Sequence, residues 1–360
     1  MAEKRPTLPA LVDCDGHIVE SLTELREYMD PKIRQFVETE RPFASSLGVF
    51  PSLDGIHHVT LRAENNPVGR RSEPGGPRVG SGEDWSKVLD AVGLLHSVLY
   101  TSDGLAIGSL RLREYVVPLC RAYNDYVADR FRRVDPRLHP MALIPLQFPD
   151  DAAVELRRAV VELGLPGAML PSTGLPLHLG HEYFWPVYKT ASDLNCVLGV
   201  HGGPNRGIGV DSFTSFIASH VVHHPVALMY AFLTLAYDGA MDKFPGARYA
   251  FLEGGVEWVL LILERVHRDE TFFDAAPVRQ YFESGRVLVG CEGNDRVIPY
   301  LAKQIGLQYL AFSSDYPHEA GVSAVKHEIE ETLEEEQLSD DEKAAILGGN
   351  ASRFFGFKTA

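Results

Sequence analysis

The chain has 360 residues, 45% of them hydrophobic and 23% charged; these are the proportions of an ordinary globular protein and exclude a disordered or collagen-like chain. Asp and Glu number 49 against 34 Lys and Arg, a formal charge of −15, and that sign argues against a nucleic-acid partner, which needs a basic face. Cys14, Cys120, Cys196 and Cys291 lie far apart with no CxxC pair, so neither a thiolate zinc site nor a disulfide framework is expected.

The N-terminal MAEKRPTLPALVDCDG has no apolar signal core. The longest apolar stretch, 225–237, falls short of the ~18 residues a membrane span needs. A cytoplasmic protein with no membrane partner is therefore expected.

In chain order, short runs rich in Val, Leu and Ala predict strands at 10–14, 97–100, 139–145, 167–170, 196–200, 249–252, 287–290 and 310–313. Helix-length segments separate most of them. VELRRAVVELG has helical periodicity and a Gly stop, and 226–238 and 256–267 also predict helices, with Pro225 fitting a first turn. Near-continuous apolar strands alternating with helices indicate a parallel sheet covered by helices. Eight such units predict an α/β fold, a (β/α)8 TIM barrel, as a single domain over 1–360. A doubly wound open sheet is the alternative, weakened because no GxGxxG follows the first strand.

Residues 43–83 break the alternation. ENNPVGRRSEPGGPRVGSG is rich in Gly, Pro and Arg and has no period; it predicts an inserted lid or subunit contact after strand 1, with a plain surface excursion as the alternative. Nine acidic residues and no basic one fall between Glu328 and Glu342. There Ser339 and Glu342 have capping-box spacing, which predicts a closing helix with a solvated approach.

The informative polar residues fall at strand ends. Strand 1 leads into Asp13-Cys14-Asp15-Gly16-His17, and residues two apart share a face, so Asp15 and His17 converge while Gly16 leaves room. Asp13 has the same parity and is a competitor for the polar role. Strand 5 ends at His201-Gly202-Gly203, and strand 8 at Ser313-Ser314-Asp315-Tyr316-Pro317-His318. All three ends lie on the rim where barrel active sites are built. Two carboxylates and two imidazoles suit Zn²⁺ or another borderline divalent ion, with manganese also compatible. A satisfied strand-end histidine, or for Asp315 a turn aspartate, is the structural alternative.

VDCDGHIVE, CRAYNDYVADRF, LIPLQFPDDAAVELRRAVVELGLPGAMLP, GVHGGP, DKFPGARYAFLEGG, SSDYPH and GGNASRFFG together resemble the amidohydrolase superfamily, in the branch that contains aminocarboxymuconate-semialdehyde and resorcylate decarboxylases. The resemblance implies a (β/α)8 barrel, a homodimer, and metal ligands Asp15, His17, His201 and Asp315, with an acidic residue opening the first motif. Strand 4, GAMLPST, offers no Lys to bridge two ions, so one metal is expected. Where many relatives carry a His near strands 5 and 6 that assists proton transfer, this chain has Glu253 at the end of strand 6, a candidate base, acid or orienting residue; capping the next helix is its bland role.

His224 is a second proton-transfer candidate, or simply precedes the helix at Pro225. His220 and His318 are candidate orienting partners. Glu292 ends strand 7 and is a weaker candidate, and Arg70 and Arg71 would clamp a substrate carboxylate from the insertion or stay solvated. Trp258 and Tyr126 are read as packing. The expected activity is non-oxidative decarboxylation of a small aromatic or enol carboxylate on one metal, with Asp315, Glu253 or His224 supplying the proton. Metal-assisted hydrolysis of an amide, lactone or ester is the alternative, and a metal-free binding barrel a third reading.

Overall fold

The computed structural model describes residues 10–39, 80–204, 207–210, 212–213, 216–293, 295–318 and 321–358. Most of the expected insertion, with Arg70 and Arg71, lies outside them; only 80–83 are described. Eight strands follow in order: β1 (Leu11–Ile18), β2 (Leu94–Thr101), β3 (Leu138–Pro140), β4 (Gly167–Pro171), β5 (Val197–His201), β6 (Arg248–Phe251), β7 (Val287–Cys291) and β8 (Leu310–Phe312).

Every neighbouring pair runs parallel and in chain order, in arcs of three and five strands. Two short seams close the arcs into a ring. At one, Ala142 donates to Gly167 O and Met169 to Ala142 O, both at 2.9 Å. At the other, His17 donates to Tyr316 O at 2.7 Å and Asp315 to Asp15 O at 2.9 Å. The fold is the expected (β/α)8 barrel.

One principal helix covers each crossover: α1 (Gly82–Val92), α2 (Arg113–Val127), α3 (Pro149–Val161), α4 (Trp185–Leu194), α5 (Phe216–Tyr237), α6 (Glu257–Phe273), α7 (Ile298–Ile305) and, after β8, α8 (Val322–Glu334). Their faces follow the helical period. In α3, Ala152, Leu156 and Ala159 are buried, while Val154 and Val161 face water. The expected capping box is formed, with Ser339 Oγ accepting from Glu342 N and the Glu342 carboxylate accepting from Ser339 N. No helix of the described residues is long and apolar enough to cross a membrane.

Three of the boundaries that differ from expectation have a clear physical reason. Strand β1 runs four residues beyond Cys14, because Gly16 and His17 pair with Leu99 and Tyr100 of β2 and the same stretch meets β8 at the seam. Strand β3 stops at Pro140, which has no N–H to offer on the β4 side; past it Met141 still donates to Leu99 O at 2.8 Å and Ala142 to Gly167 O at 2.9 Å. Helix α5 starts ten residues before the expected 226 and carries Pro225 inside it. Pro removes one intrahelical bond, but Leu228, Ala231, Phe232 and Leu235 are buried beyond it, and Ser219 and His223 before it, so packing carries the helix through. His223 and His224 therefore sit in a helix interior rather than ahead of a helix.

Candidate metal centre

The alternation that puts Asp15 and His17 on one face of β1 holds, and both are buried. Asp13 does not join them, because a register irregularity between Asp13 and Gly16 breaks the alternation. Its carboxylate accepts from Ser97 Oγ at 2.8 Å, Ser314 N at 3.0 Å and Ser314 Oγ at 3.0 Å, tying β1 to β2 and β8. Gly16 makes room for the fold rather than for an ion: a side chain there would meet the Trp85 ring at 2.6 Å.

His201, at the end of β5, reaches across the mouth. Its Nε2 lies 3.2 Å from His17 Nε2 and 3.4 Å from Asp15 Oδ1, and His17 Nε2 lies 3.7 Å from Asp15 Oδ1. These three form one potential ligand set. Asp315 reaches the centre through His17, with Oδ1 3.1 Å from His17 Nε2, and groups with His17 and His318.

The donor set fits a divalent cation on three counts. First, tetrahedral ligands about 2.0–2.2 Å from an ion lie about 3.4 Å from one another, the spacing seen here. Second, neither carboxylate oxygen of the buried Asp15 has a hydrogen-bond partner, an arrangement that costs free energy unless a cation faces it. Third, both imidazoles have their outer nitrogen engaged: His17 Nδ1 donates to Thr101 O at 3.1 Å, and His201 Nδ1 faces Gly202 O and Glu253 Oε2, each at 3.3 Å. That fixes the tautomer and turns a lone pair inward.

Electrostatics agree. Burial, reinforced by the Asp315 and Asp13 charges, pushes Asp15 well above the usual carboxylate range. Burial would raise Asp315 too, but His318 and His17 outweigh it and hold that carboxyl below its ordinary value. Burial and the neighbouring His318 push His17 down to about 3, and burial lowers His201, so both imidazoles stay neutral, the ligating form.

Glu253 follows β6 in a left-handed backbone conformation, φ 61°, as does Asp315 after β8, φ 46°. Strain of this kind concentrates at functional sites. The Glu253 Oε2 stands 3.3 Å from His201 Nδ1 and 3.5 Å from His224 Nδ1, linking a candidate ligand to α5. A side chain at Gly202 would meet that oxygen at 2.7 Å, so glycine there is what admits Glu253. Burial first, then His223 and His220, keep His224 well below the usual imidazole value.

A cavity of about 330 Å³ opens beside these groups, lined by His220, Val221, His224, Pro225, Glu253, Gly254, Gly255, Glu257, Glu292 and Asp315. The structure thus brings Asp315, Glu253 and His224 to one cavity wall, with His220 and Glu292 beside them. His223 is not part of that lining.

The Amidohydro_2 family model, described as amidohydrolase, matches residues 102–357. The chain belongs to this amidohydrolase family. The match contains His201, Glu253 and Asp315, whereas Asp15 and His17 precede it. The amidohydrolase is 25% identical over 249 residues to a 2-amino-3-carboxymuconate-6-semialdehyde decarboxylase of Dictyostelium discoideum, covering 66% of each chain. It is also 25% identical over 289 residues to a gamma-resorcylate decarboxylase of Rhodococcus jostii (strain RHA1), covering 72% of this chain and 83% of the relative. Among solved structures it is similar to the 5-carboxyvanillate decarboxylase of Novosphingobium aromaticivorans complexed with manganese and 4-hydroxy-3-methoxy-5-nitrobenzoic acid, with a TM-score of 0.70, 16% identity and coverage of 97% of this chain and 96% of that one.

Several groups around the amidohydrolase centre carry no sequence signal. Thr101 serves through its backbone carbonyl, and any residue type supplies one. Tyr100 packs its ring 5.3 Å from His201. Glu20 accepts from Thr101 Oγ1 and from Asp103 N, and burial, then the Asp103 charge, pushes it up to about 7. These partners lie more than 80 residues apart in sequence, and only barrel closure brings them together.

Proposed function

We propose that this amidohydrolase binds one divalent cation through Asp15, His17, His201 and Asp315 and catalyses non-oxidative decarboxylation of a small aromatic or enol carboxylate. The observation that carries the reading is the buried, unpartnered Asp15 carboxylate facing two inward lone pairs. Zinc and manganese both suit such nitrogen and oxygen donors; the manganese in the carboxyvanillate enzyme supports the latter. The names of the relatives support the reaction class.

A cation held there would neutralise and orient the substrate carboxylate and draw electron density from an adjacent oxygen. The chain's own residues handle the proton. When the bond between the carbon and its carboxylate breaks, the electron pair stays on the carbon, which must take up a proton as CO2 leaves. Glu253 and His224 are 3.5 Å apart on the cavity wall and can hold that proton between them. Asp315 lines the same wall, pinned by His17 and His318. The cavity is at the small end of the ~300–1,000 Å³ typical of ligand sites, which suits a single ring.

The test is a panel of hydroxybenzoates labelled with ¹³C at the carboxyl carbon, run beside lactones and amides. The expected result is labelled CO2 and an equal amount of the matching phenol from at least one acid. Turnover of lactones or amides alone would replace this reading with metal-assisted hydrolysis, and turnover of nothing, in a protein that binds no metal, would leave a binding barrel.

A further inference from the structure

Asp315 leaves β8 in a left-handed conformation, φ 46°, so neither its backbone preference nor a regular ladder sets its side chain. What sets it is an arm from the far side of β1. His318 Nδ1 stands 3.1 Å from Asp315 Oδ1, and His318 Nε2 stands 2.7 Å from Ser102 Oγ at the end of β2. The ring between them stacks on His17, with centroids 3.8 Å apart and planes 30° apart. The backbone closes the figure: His318 donates to Asp315 O at 2.8 Å, and Ser102 donates to Ile18 O at 3.0 Å.

His17, Asp315 and His318 are near enough to form a ligand set of their own. Two facts argue against a second ion there. His17 Nε2 already faces Asp15 and His201, and one lone pair serves one ion. Both His318 nitrogens already face partners, Nδ1 the Asp315 Oδ1 at 3.1 Å and Nε2 the Ser102 hydroxyl at 2.7 Å.

We propose that His318, steered by Ser102, is the positioning residue for Asp315: the arm holds the carboxylate oxygen that faces His17, while its stacked ring holds His17. The proposal rests on the metal centre inferred above. It adds that geometry at the reacting end depends on a hydroxyl that touches neither ion nor substrate. Asp–His–Ser order alone suggests a serine nucleophile, but Ser102 is not among the residues lining the cavity beside the centre, which makes its hydroxyl an anchor.

The test uses the full-length protein with Mn²⁺ bound, in four variants. His318→Ala is expected to lower kcat about 100-fold with KM within about twofold, and to weaken Mn²⁺ about 10–100-fold, the range for losing a partner that orients a ligand. His318→Asn, whose amide can replace the Nδ1 donor, is expected to recover at least about tenfold of the kcat loss, as a geometric role requires. Ser102→Ala is expected to lower kcat roughly threefold to tenfold with thermal stability unchanged, and Ser102→Thr to restore it, since one neutral hydrogen bond is lost and regained. Mn²⁺ affinity, read by electron paramagnetic resonance, is independent of activity. Unchanged affinity and kcat in both His318→Ala and Ser102→Ala would overturn the proposal. So would a change in KM alone, which would make His318 a substrate contact. If His318→Ala does not fold, the Ser102 pair decides. Wild type that binds no Mn²⁺ overturns the proposal with the centre it rests on, whereas wild type that binds Mn²⁺ but releases no CO2 overturns only the decarboxylase reading, and the affinities still decide the arm.

Discussion

Replacing His201 by Ala is expected to empty the centre and abolish turnover. His201 is buried at the end of β5 and supplies the nitrogen that faces both Asp15 and His17. Without it, Asp15 and Asp315 face each other's charge with one imidazole between them. Losing an outer partner of a metal ligand costs about 10–100-fold in affinity or activity, so losing the ligand itself should exceed that range. The check is metal content after dialysis, circular dichroism for folding, and kcat/KM. Folded protein that keeps full metal and activity would remove His201 from the centre.

Glu253→Gln is expected to behave differently: metal retained at saturating concentration, turnover reduced about 10²–10⁴-fold, the span for a group that moves a proton in the transition state. Gln preserves the shape and an oxygen that can accept from His201 Nδ1 at the 3.3 Å contact, so the tautomer that turns the lone pair inward survives. It removes the charge and the ability to take and return a proton opposite His224. The loss should fall on kcat rather than KM. A drop of less than about tenfold with weaker metal binding would make Glu253 an orienting group of the kind that tunes a ligand.

Strand positions were legible because both faces of a barrel strand are buried, so each reads as an unbroken apolar run. The observed Gly167–Pro171, Val197–His201 and Val287–Cys291 each end one residue past expectation, and that extra residue is the one before the loop that carries function. Asp15 and His17 were legible through the two-residue period, although the bulge that removes Asp13 from their face was not; it depends on Ser97 and Ser314 from other strands. Helix α5 was half legible. A proline is a start signal when the helix before it has nothing to pack on, and here Ser219 and His223 are buried. The arm from Ser102 to His318 spans 216 residues of sequence and depends on β2 and β8 both flanking β1, so no local pattern announces it. Glu253 stood out as a departure from the family's pattern, but its link to His224 required the true start of α5.

The central claim, one cation shared by side chains from β1, β5 and the end of β8, is tested most directly by calorimetric titration of Mn²⁺ into chelator-stripped protein at several pH values. Burial and neighbouring charge raise Asp15 in the stripped protein, so protons compete with the ion for that carboxylate. As pH falls through the raised value, binding must displace a proton and weakens; as pH rises, it strengthens. The expected result is a single site per chain whose affinity climbs as pH rises, with protons released on binding at the lower pH values. Two equivalent sites per chain, no binding, or an affinity indifferent to pH would contradict it.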